Sequence, residues 1–198
     1  MSASFMPCWA SYRRLASSKC RARTRLKKSN SLPRQRKPSV MFHSFDVPPD
    51  NRYFEDYTPG HAYEFGSITV SEAEIIEFAR RFDPQYFHTE PEKAKLSRFG
   101  GIVASGWHTV SLAMRLYVDH YLSHVASLAS PGTDEVRWPN PVRSGDTLKI
   151  RVTILDVRPS RSKPDRGTVR ARVEAINQRD ELVLSMIGMS IIGCRPPA

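Results

Sequence analysis

The sequence of 198 residues contains little cysteine and no long apolar run. Its three cysteines, Cys8, Cys20 and Cys194, form neither an even set nor a C-x-x-C pair, which excludes a disulfide framework and the common zinc-site spacings. No apolar stretch approaches the roughly 18 residues of a membrane-spanning helix, and no internal repeat indicates a solenoid or a propeller. We therefore expect a protein of a reducing compartment, the cytoplasm, with no membrane partner.

Acidic residues are absent from the first 40 positions, which hold 11 of the 30 Lys and Arg residues. The remaining 158 positions hold 19 basic and 20 acidic residues, so their net charge is −1 although the whole chain carries +10. The basic character thus belongs to the leader, and a nucleic-acid partner is not expected for the body. A leader rich in Ser, Arg and Lys buries too little apolar surface to offset its ordering entropy, so we expect residues 1–40 to be disordered.

Three interpretations of this leader remain open. It resembles an organellar transit peptide, being Arg- and Ser-rich without acidic residues, which would place the protein in an organelle. It could instead be a nucleic-acid-binding arm that stacks Phe5, Trp9 and Tyr12 on bases. It could also be translated upstream sequence without function, with Met41 as the start of the folded protein. Each interpretation predicts the same division, a leader over 1–40 and one folded domain over 41–198.

The body combines helical patterns with a later set of strand patterns. Ser71 and Glu74 form an S-x-x-E capping box at the start of a helix that Pro84 ends. Apolar residues nearly surround a longer helical pattern over 105–126, so this helix should be largely buried. Alternating or continuous apolar patterns predict strands over 63–69, 135–138, 148–157, 168–176 and 182–192. We predict an α+β fold in which the long buried helix packs against an antiparallel sheet.

The densest cluster of reactive groups lies where the first helix ends. Asp83 precedes Pro84, and His88 follows five residues later, so a tight turn could bring carboxylate and imidazole together. The apolar neighbours would desolvate the carboxyl group and raise the pKa of Asp83. Such a pair can hold a water molecule for general acid–base catalysis. The alternative is structural, with Asp83 ending its helix and His88 partly buried without a catalytic role.

A second candidate element is the start of the long helix at Ser105 and Gly106. The first amide groups of a helix have no intrahelical acceptor and carry the positive end of its dipole. Glycine would let a substrate carbonyl approach these amides closely, as an oxyanion hole requires. By contrast, His120 and His124 share one helical face, but zinc needs three or four ligands and Tyr121 stands in place of the glutamate of an H-E-x-x-H motif, so we predict no metal site.

The order of these motifs resembles the MaoC-like dehydratases, the (R)-specific enoyl-CoA hydratases of the hotdog fold. The resemblance spans nearly all of residues 62–192. It rests on F-A-x-x-x-D-x-x-x-x-H, on F-G-x-x-[IV]-A-x-G before the long helix, and on P-V-x-x-G-D-T-L. The matching residues are Phe78, Ala79, Asp83, His88, Ala94, Phe99, Gly100, Ala104, Gly106 and 141–148.

The resemblance implies a function and a set of site residues. Asp83 and His88 would hold and activate a water molecule, and the Gly106 amide would polarise the thioester carbonyl. The reaction would be reversible syn hydration of a 2-enoyl-CoA to a (3R)-hydroxyacyl-CoA. It would need no metal or redox cofactor, because coenzyme A enters with the acyl-CoA substrate. Hotdog units of this kind usually dimerise, so the resemblance also implies a homodimer or a higher even oligomer.

This chain departs from the family pattern at several positions. The family usually has G-D-x-N-P-[LIV]-H, whereas Phe82, Gln85 and Tyr86 replace the Gly, Asn and Pro here. Ser105 stands where a His is frequent, and Met114 where the family has a Ser in the helix. We expect Gln85 and Ser105 to bind substrate beside Gly106. We also expect the bulk of Phe82 and Tyr86 to narrow the acyl path.

Two other functions remain open at this level. The altered residues between Asp83 and His88 would suit a non-catalytic module that binds acyl thioesters. A hotdog thioesterase generally takes its acid from the long helix, where Asp119 is the only acidic residue. Finally, four basic residues around the loop after residue 157 could contact the phosphates of coenzyme A or simply be solvated. They are Arg158, Arg161, Lys163 and Arg166.

Overall fold

The computed structural model describes residues 41–197, so the predictions for the leader lie outside the described residues. Two short 3-10 turns, Pro49–Asn51 and Phe54–Asp56, precede the first strand. The helices are α1 (Glu72–Phe82), α2 (Tyr86–Thr89), α3 (Pro91–Lys95) and α4 (Gly106–His120). The strands are β1 (Ala62–Thr69), β2 (Ser127–Arg137), β3 (Thr147–Pro159), β4 (Arg166–Ile176) and β5 (Leu182–Gly193).

The five strands form one antiparallel sheet in the order β1-β3-β4-β5-β2. The long helix α4 packs against β1, β3 and β5, so the sheet curls around it. This is the hotdog arrangement, and the predicted α+β class is confirmed. No helix within residues 41–197 is long and apolar enough to cross a membrane.

The core forms from the alternating faces of the central strands. In β3, Leu148, Ile150, Val152 and Ile154 are buried, and their neighbours between them are partly exposed. The paired strand β4 buries every second residue in the same way, with Val152 opposite Val173. Each fully buried Val, Leu or Ile stabilises the fold by roughly 1.5–3 kcal/mol. The period-two pattern therefore determined which face of each strand became the core.

Helix α1 begins as its capping box predicts. The Ser71 hydroxyl accepts from the Glu74 amide, and the Glu74 carboxylate accepts from the Ser71 amide at 2.9 Å. The helix buries Ile75 and Ala79 and ends at Phe82, directly before Asp83 and Pro84. Its amphipathic pattern thus fixes where the chain turns toward the candidate site.

Helix α4 is shorter than predicted and less buried. We expected it over 105–126, but it ends at His120, and residues 122–126 lead irregularly into β2. The buried Arg52 donates to the carbonyls of His120 (2.9 Å) and Tyr121 (2.7 Å) and so holds the helix end. The prediction failed because the residue that ends the helix lies far away in the sequence. The side chains of Trp107, Met114 and Val118 are exposed.

Strand β2 is much longer than the predicted 135–138. It begins at Ser127, although residues 127–134 include Pro131 and Gly132 and alternate poorly. The strand is irregular, with register shifts against β5, and nearly all of its residues are exposed. An exposed edge strand carries no burial pattern, which explains why its first half was not predicted.

Candidate active site

The turn after α1 brings Asp83 and His88 together, as predicted. Pro84 cannot continue the helix, and Asp83 at the C-cap leaves the helical conformation, with φ −153° and ψ 68°. The Gln85 amide donates to the Asp83 carbonyl, and the His88 amide donates to the Gln85 carbonyl. The short helix α2 then carries the imidazole back, so that His88 Nε2 lies 3.4 Å from Asp83 Oδ2.

His88 is buried and oriented by the backbone. Its Nδ1 lies 2.7 Å from the carbonyl oxygen of Val103. A carbonyl can only accept, so Nδ1 must carry the proton in the neutral ring. The lone pair of Nε2 therefore faces the carboxylate, and both groups are acceptors. A water molecule that donates one hydrogen to each would satisfy both.

Both oxygens of Asp83 accept hydrogen bonds from neutral side chains. Gln85 Nε2 donates to Oδ1 at 2.7 Å, and Ser105 Oγ donates to Oδ2 at 2.6 Å. Burial acts to raise the pKa of Asp83, but the hydrogen bonds from Ser105 and Gln85, with a smaller electrostatic contribution from the neighbouring imidazole, hold it below its ordinary value. The prediction of a raised pKa was therefore wrong, because it counted desolvation without the donors. The side chains of Gln85 and Ser105, expected to bind substrate, are engaged with Asp83.

Helix α4 starts at the same place. The Ser105 hydroxyl caps it by accepting from the Trp107 amide at 3.3 Å. The Gly106 amide donates to no atom of the described residues, and Gly106 lies on the wall of a cavity. A β-carbon on Gly106 would lie 2.6 Å from the Trp138 ring, whose Nε1 donates to the Gly106 carbonyl at 2.9 Å. Glycine here makes room for an indole as well as for a ligand.

An open cavity of about 480 Å³ connects these groups. Its lining includes Asp83, Gln85, His88 and Gly106 and is otherwise mainly apolar. Sequence reasoning missed Trp107, Trp138 and Arg98, the single basic side chain of this lining. Phe87 is one of the apolar neighbours expected around Asp83 and His88, and Phe99 belongs to a matched family motif; both line the cavity. The position of Trp138 and Pro139 directly before the P-V-x-x-G-D-T-L motif was the one available signal for Trp138.

Two residues expected near the acyl path lie elsewhere. Phe82 and Tyr86 are 60% and 44% exposed, and neither lines the cavity. Our expectation that they narrow the path is wrong because the turn at Pro84 points both away from the site. Met114 also does not line this cavity. It borders a smaller cavity of about 280 Å³ between α4 and the strands β2 and β5.

The remaining candidates have local partners. Asp119 pairs with Arg115 at 2.8 Å and does not reach the cavity. His124 pairs with Asp50, and His120 stacks on Phe65. No group of three potential metal ligands occurs within residues 41–197.

The basic loop after β3 does not contribute to the cavity either. Arg158 pairs with Asp156, and Arg166 pairs with Asp165 at 2.8 Å. The loop lies at the end of β3 opposite the 141–146 segment that borders the cavity. Arg98 is thus the basic residue of the described chain that lines the candidate site.

Comparisons with known proteins agree with this geometry. A family profile described as "MaoC like domain" matches residues 55–177. The chain is 31% identical over 126 residues to YdeM of Bacillus subtilis (strain 168), covering 64% of this chain and 88% of YdeM. It is 30% identical over 109 residues to 3-hydroxyacyl-thioester dehydratase Z of Mycobacterium tuberculosis, covering 54% of this chain and 72% of that protein.

A solved structure shows the same likeness over a longer span. The MaoC-like dehydratase from Rhodospirillum rubrum is 39% identical, with a TM-score of 0.70. The match covers 74% of this chain and 100% of that one. The profile match over residues 55–177 contains strands β1 to β4, helix α4 and the residues that line the cavity.

Proposed function

Because the chain belongs to the MaoC-like dehydratase family, we propose that it hydrates a 2-enoyl-CoA to a (3R)-hydroxyacyl-CoA and catalyses the reverse dehydration. One observation carries the proposal. Asp83 Oδ2 and His88 Nε2 lie 3.4 Å apart, both as acceptors, on the wall of an apolar cavity. Two acceptors at this separation can hold one water molecule and take its proton.

The reaction follows from where each group lies. Water held by Asp83 and His88 would add its oxygen to C3 of the enoyl thioester while a proton is delivered to C2. The carbonyl oxygen of the thioester gains negative charge in this step. The Gly106 amide, which has no acceptor within the described residues and lies on the cavity wall, would stabilise that charge. Delivery from one side of the cavity accounts for syn addition.

The proposed substrate brings its own carrier, and the reaction needs no metal or redox cofactor. The cavity would take the acyl group along its aromatic walls. Arg98 has no ion-pair partner among the described carboxylates, so it could face an anionic group of the thioester. This position makes it a better candidate for such a contact than the loop of Arg158 and Arg166.

A homodimer remains part of the proposal. Strand β2 ends the sheet with an unpaired edge, and exposed apolar side chains lie on it, on α4 and on the segment between them. They are Met114, Val118, Val125 and Leu128. A second copy of the chain would cover this face. A cytoplasmic location likewise stays a prediction.

The test is the loss of enoyl-thioester absorbance with crotonyl-CoA as substrate. We expect Asp83→Asn and His88→Ala each to reduce kcat by about 10²–10⁴-fold, because each removes one of the two acceptors for water. Asp119→Asn is the matched control, because this acid lies away from the cavity. It should retain full activity.

The same assay separates the alternatives. If wild-type protein hydrates no enoyl thioester but acyl-CoA raises its thermal midpoint, the chain is a binding module. Release of free coenzyme A thiol that depends on Asp119 would instead indicate a thioesterase. The geometry does not favour that result, because no acidic side chain of α4 lines the cavity.

A further inference from the structure

The hydroxyl group of Ser105 contacts both elements of the candidate site, which are the Asp83 carboxylate and the start of helix α4. Its side chain has no exposed surface, and its Oγ lies 2.6 Å from Asp83 Oδ2 and 3.3 Å from the Trp107 amide nitrogen. An amide nitrogen can only donate here, so Oγ accepts from Trp107. The single hydroxyl hydrogen of Ser105 therefore forms the hydrogen bond to Asp83.

This arrangement strengthens the bond to the carboxylate. A hydroxyl that accepts from a helix-start amide is polarised and becomes a better donor. The positive end of the α4 dipole also favours a negative charge beside it. The Gly106 amide does not donate to the Ser105 hydroxyl, because Oγ accepts from the Trp107 amide instead. One serine therefore holds the acid and leaves the neighbouring amide available to a ligand.

We propose that Ser105 is a positioning residue that keeps Asp83 ionised and directed at His88, so that His88 is the group that carries the proton. The inference rests on the proposed hydratase function. His88 Nε2 takes a proton from water as the oxygen–C3 bond forms and the C2–C3 double bond breaks. The resulting imidazolium returns that proton to C2, and His88 is neutral again. Asp83 remains a carboxylate throughout, holding the water and stabilising the imidazolium.

The charges around Asp83 support this division of roles. His88 on α2 faces it, while the turn and the cap of α4 present only the neutral side chains of Gln85 and Ser105. Arg98 is the only other charged side chain on the cavity lining. The Ser105 hydroxyl is the largest of the influences that lower the pKa of Asp83 against the opposing effect of burial. Removing the hydroxyl should therefore raise the titration midpoint of the carboxyl group.

The experiment compares Ser105→Ala with Ser105→Thr. We expect the alanine variant to lose about ten- to a hundred-fold in kcat, with a smaller change in KM, because a hydrogen bond to a charged group is lost. Threonine keeps a hydroxyl and should restore most of the activity. Carbon NMR should show a higher titration midpoint for Asp83 in the alanine variant alone. In wild-type protein, the acid limb of the pH–rate profile should not follow the Asp83 carboxyl group.

Ser71→Ala is the matched control, because it removes an N-cap of similar kind from α1 without touching Asp83. It should lower the thermal midpoint about as much as Ser105→Ala and leave kcat unchanged. The proposal is overturned if Ser105→Ala leaves the Asp83 titration unchanged, or if the acid limb follows Asp83. Because the NMR titration needs no substrate, it judges Ser105 even if no enoyl thioester is hydrated and the proposed function fails.

Discussion

The two ends of helix α4 are built for opposite purposes. At its C-terminal end, Arg52 is 3% exposed and donates to the carbonyls of His120, Tyr121 and Val47. Its guanidinium carbon also lies 3.5 Å from the centre of the Phe45 ring. At the N-terminal end, the Gly106 amide has no acceptor among residues 41–197 and faces an open cavity.

The C-terminal end of α4 therefore contributes to stability, whereas its N-terminal end presents an amide donor to the candidate site. Both ends of any helix expose backbone groups that need partners. Arg52 satisfies the carbonyl end from within the protein, and it forms no ion pair with any carboxylate of the described residues. The amide end keeps one donor for a ligand and uses Ser105 to fix the neighbouring acid. Changes at the two ends should therefore separate stability from activity.

The largest effect on stability is expected at the C-terminal end of α4, where Arg52 binds the helix carbonyls. Arg52→Met should lower the free energy of unfolding by about 2–4 kcal/mol, because it leaves buried carbonyls without donors. Chemical denaturation measures this change. Hydratase kcat below the unfolding transition should stay within about two-fold, since the cavity lies at the other end of α4. Arg115→Met, at an exposed ion pair, is the control and should change stability little. A catalytic loss in folded Arg52→Met protein would contradict the separation.

The next effect is a loss of stability at alkaline pH. Burial raises the pKa of Tyr57 to about 12, and its hydroxyl donates to the Tyr121 carbonyl at 3.2 Å. The unfolded chain releases this proton near pH 10, so between about pH 10 and 12 the folded state binds more protons. Its stabilisation is complete below pH 10 and is lost as the pH rises through 12, which amounts to about 2–3 kcal/mol.

Denaturation of Tyr57→Phe at several pH values tests this effect. The variant should lose less stability than wild type between pH 10 and 12, although burial also raises the pKa of Tyr117 and Tyr121 nearby. Tyr86→Phe, at an exposed position, is the control for loss of a hydroxyl group and should change the free energy of unfolding at neutral pH little. If the free energy of unfolding fell equally with pH in wild type and in Tyr57→Phe, burial of the Tyr57 phenol would not account for the loss of stability.

Local patterns predicted the parts of the molecule that local interactions determine. The capping box of Ser71 and Glu74 requires only three residues of spacing, and the burial of β3 and β4 follows their alternation. Asp83 and His88 meet because Pro84 forces a turn within six residues. Each of these features can be read without knowing what lies across the sheet.

Features that depend on distant partners were missed or mistaken. Helix α4 ends at His120 because Arg52 binds there from 68 residues away. The pKa of Asp83 was predicted in the wrong direction because its donor Ser105 lies 22 residues along the chain. Strand β2 was partly missed because an exposed edge imposes no burial pattern. The sequence therefore predicted which two side chains meet but not the groups that orient them.

The smallest effect tests the open end directly. Gly106→Ala should reduce kcat/KM about ten-fold, because the added carbon would lie 2.6 Å from the Trp138 ring and displace the wall beside the amide. Stability should change by less than about 1 kcal/mol, since alanine favours the helix while the indole shifts. Steady-state kinetics and chemical denaturation measure both changes.

The control for this substitution is Gly188→Ala, because a β-carbon there would meet no atom within 4 Å. It should leave kcat/KM within about two-fold of wild type. If Gly106→Ala and Trp138→Ala both kept full activity, neither crowding at this amide nor its aromatic wall would affect the reaction, which would contradict a carbonyl-binding role for the start of α4. A ten-fold loss in Gly106→Ala with full activity in Trp138→Ala would instead support that role, because the added carbon obstructs the approach to the amide.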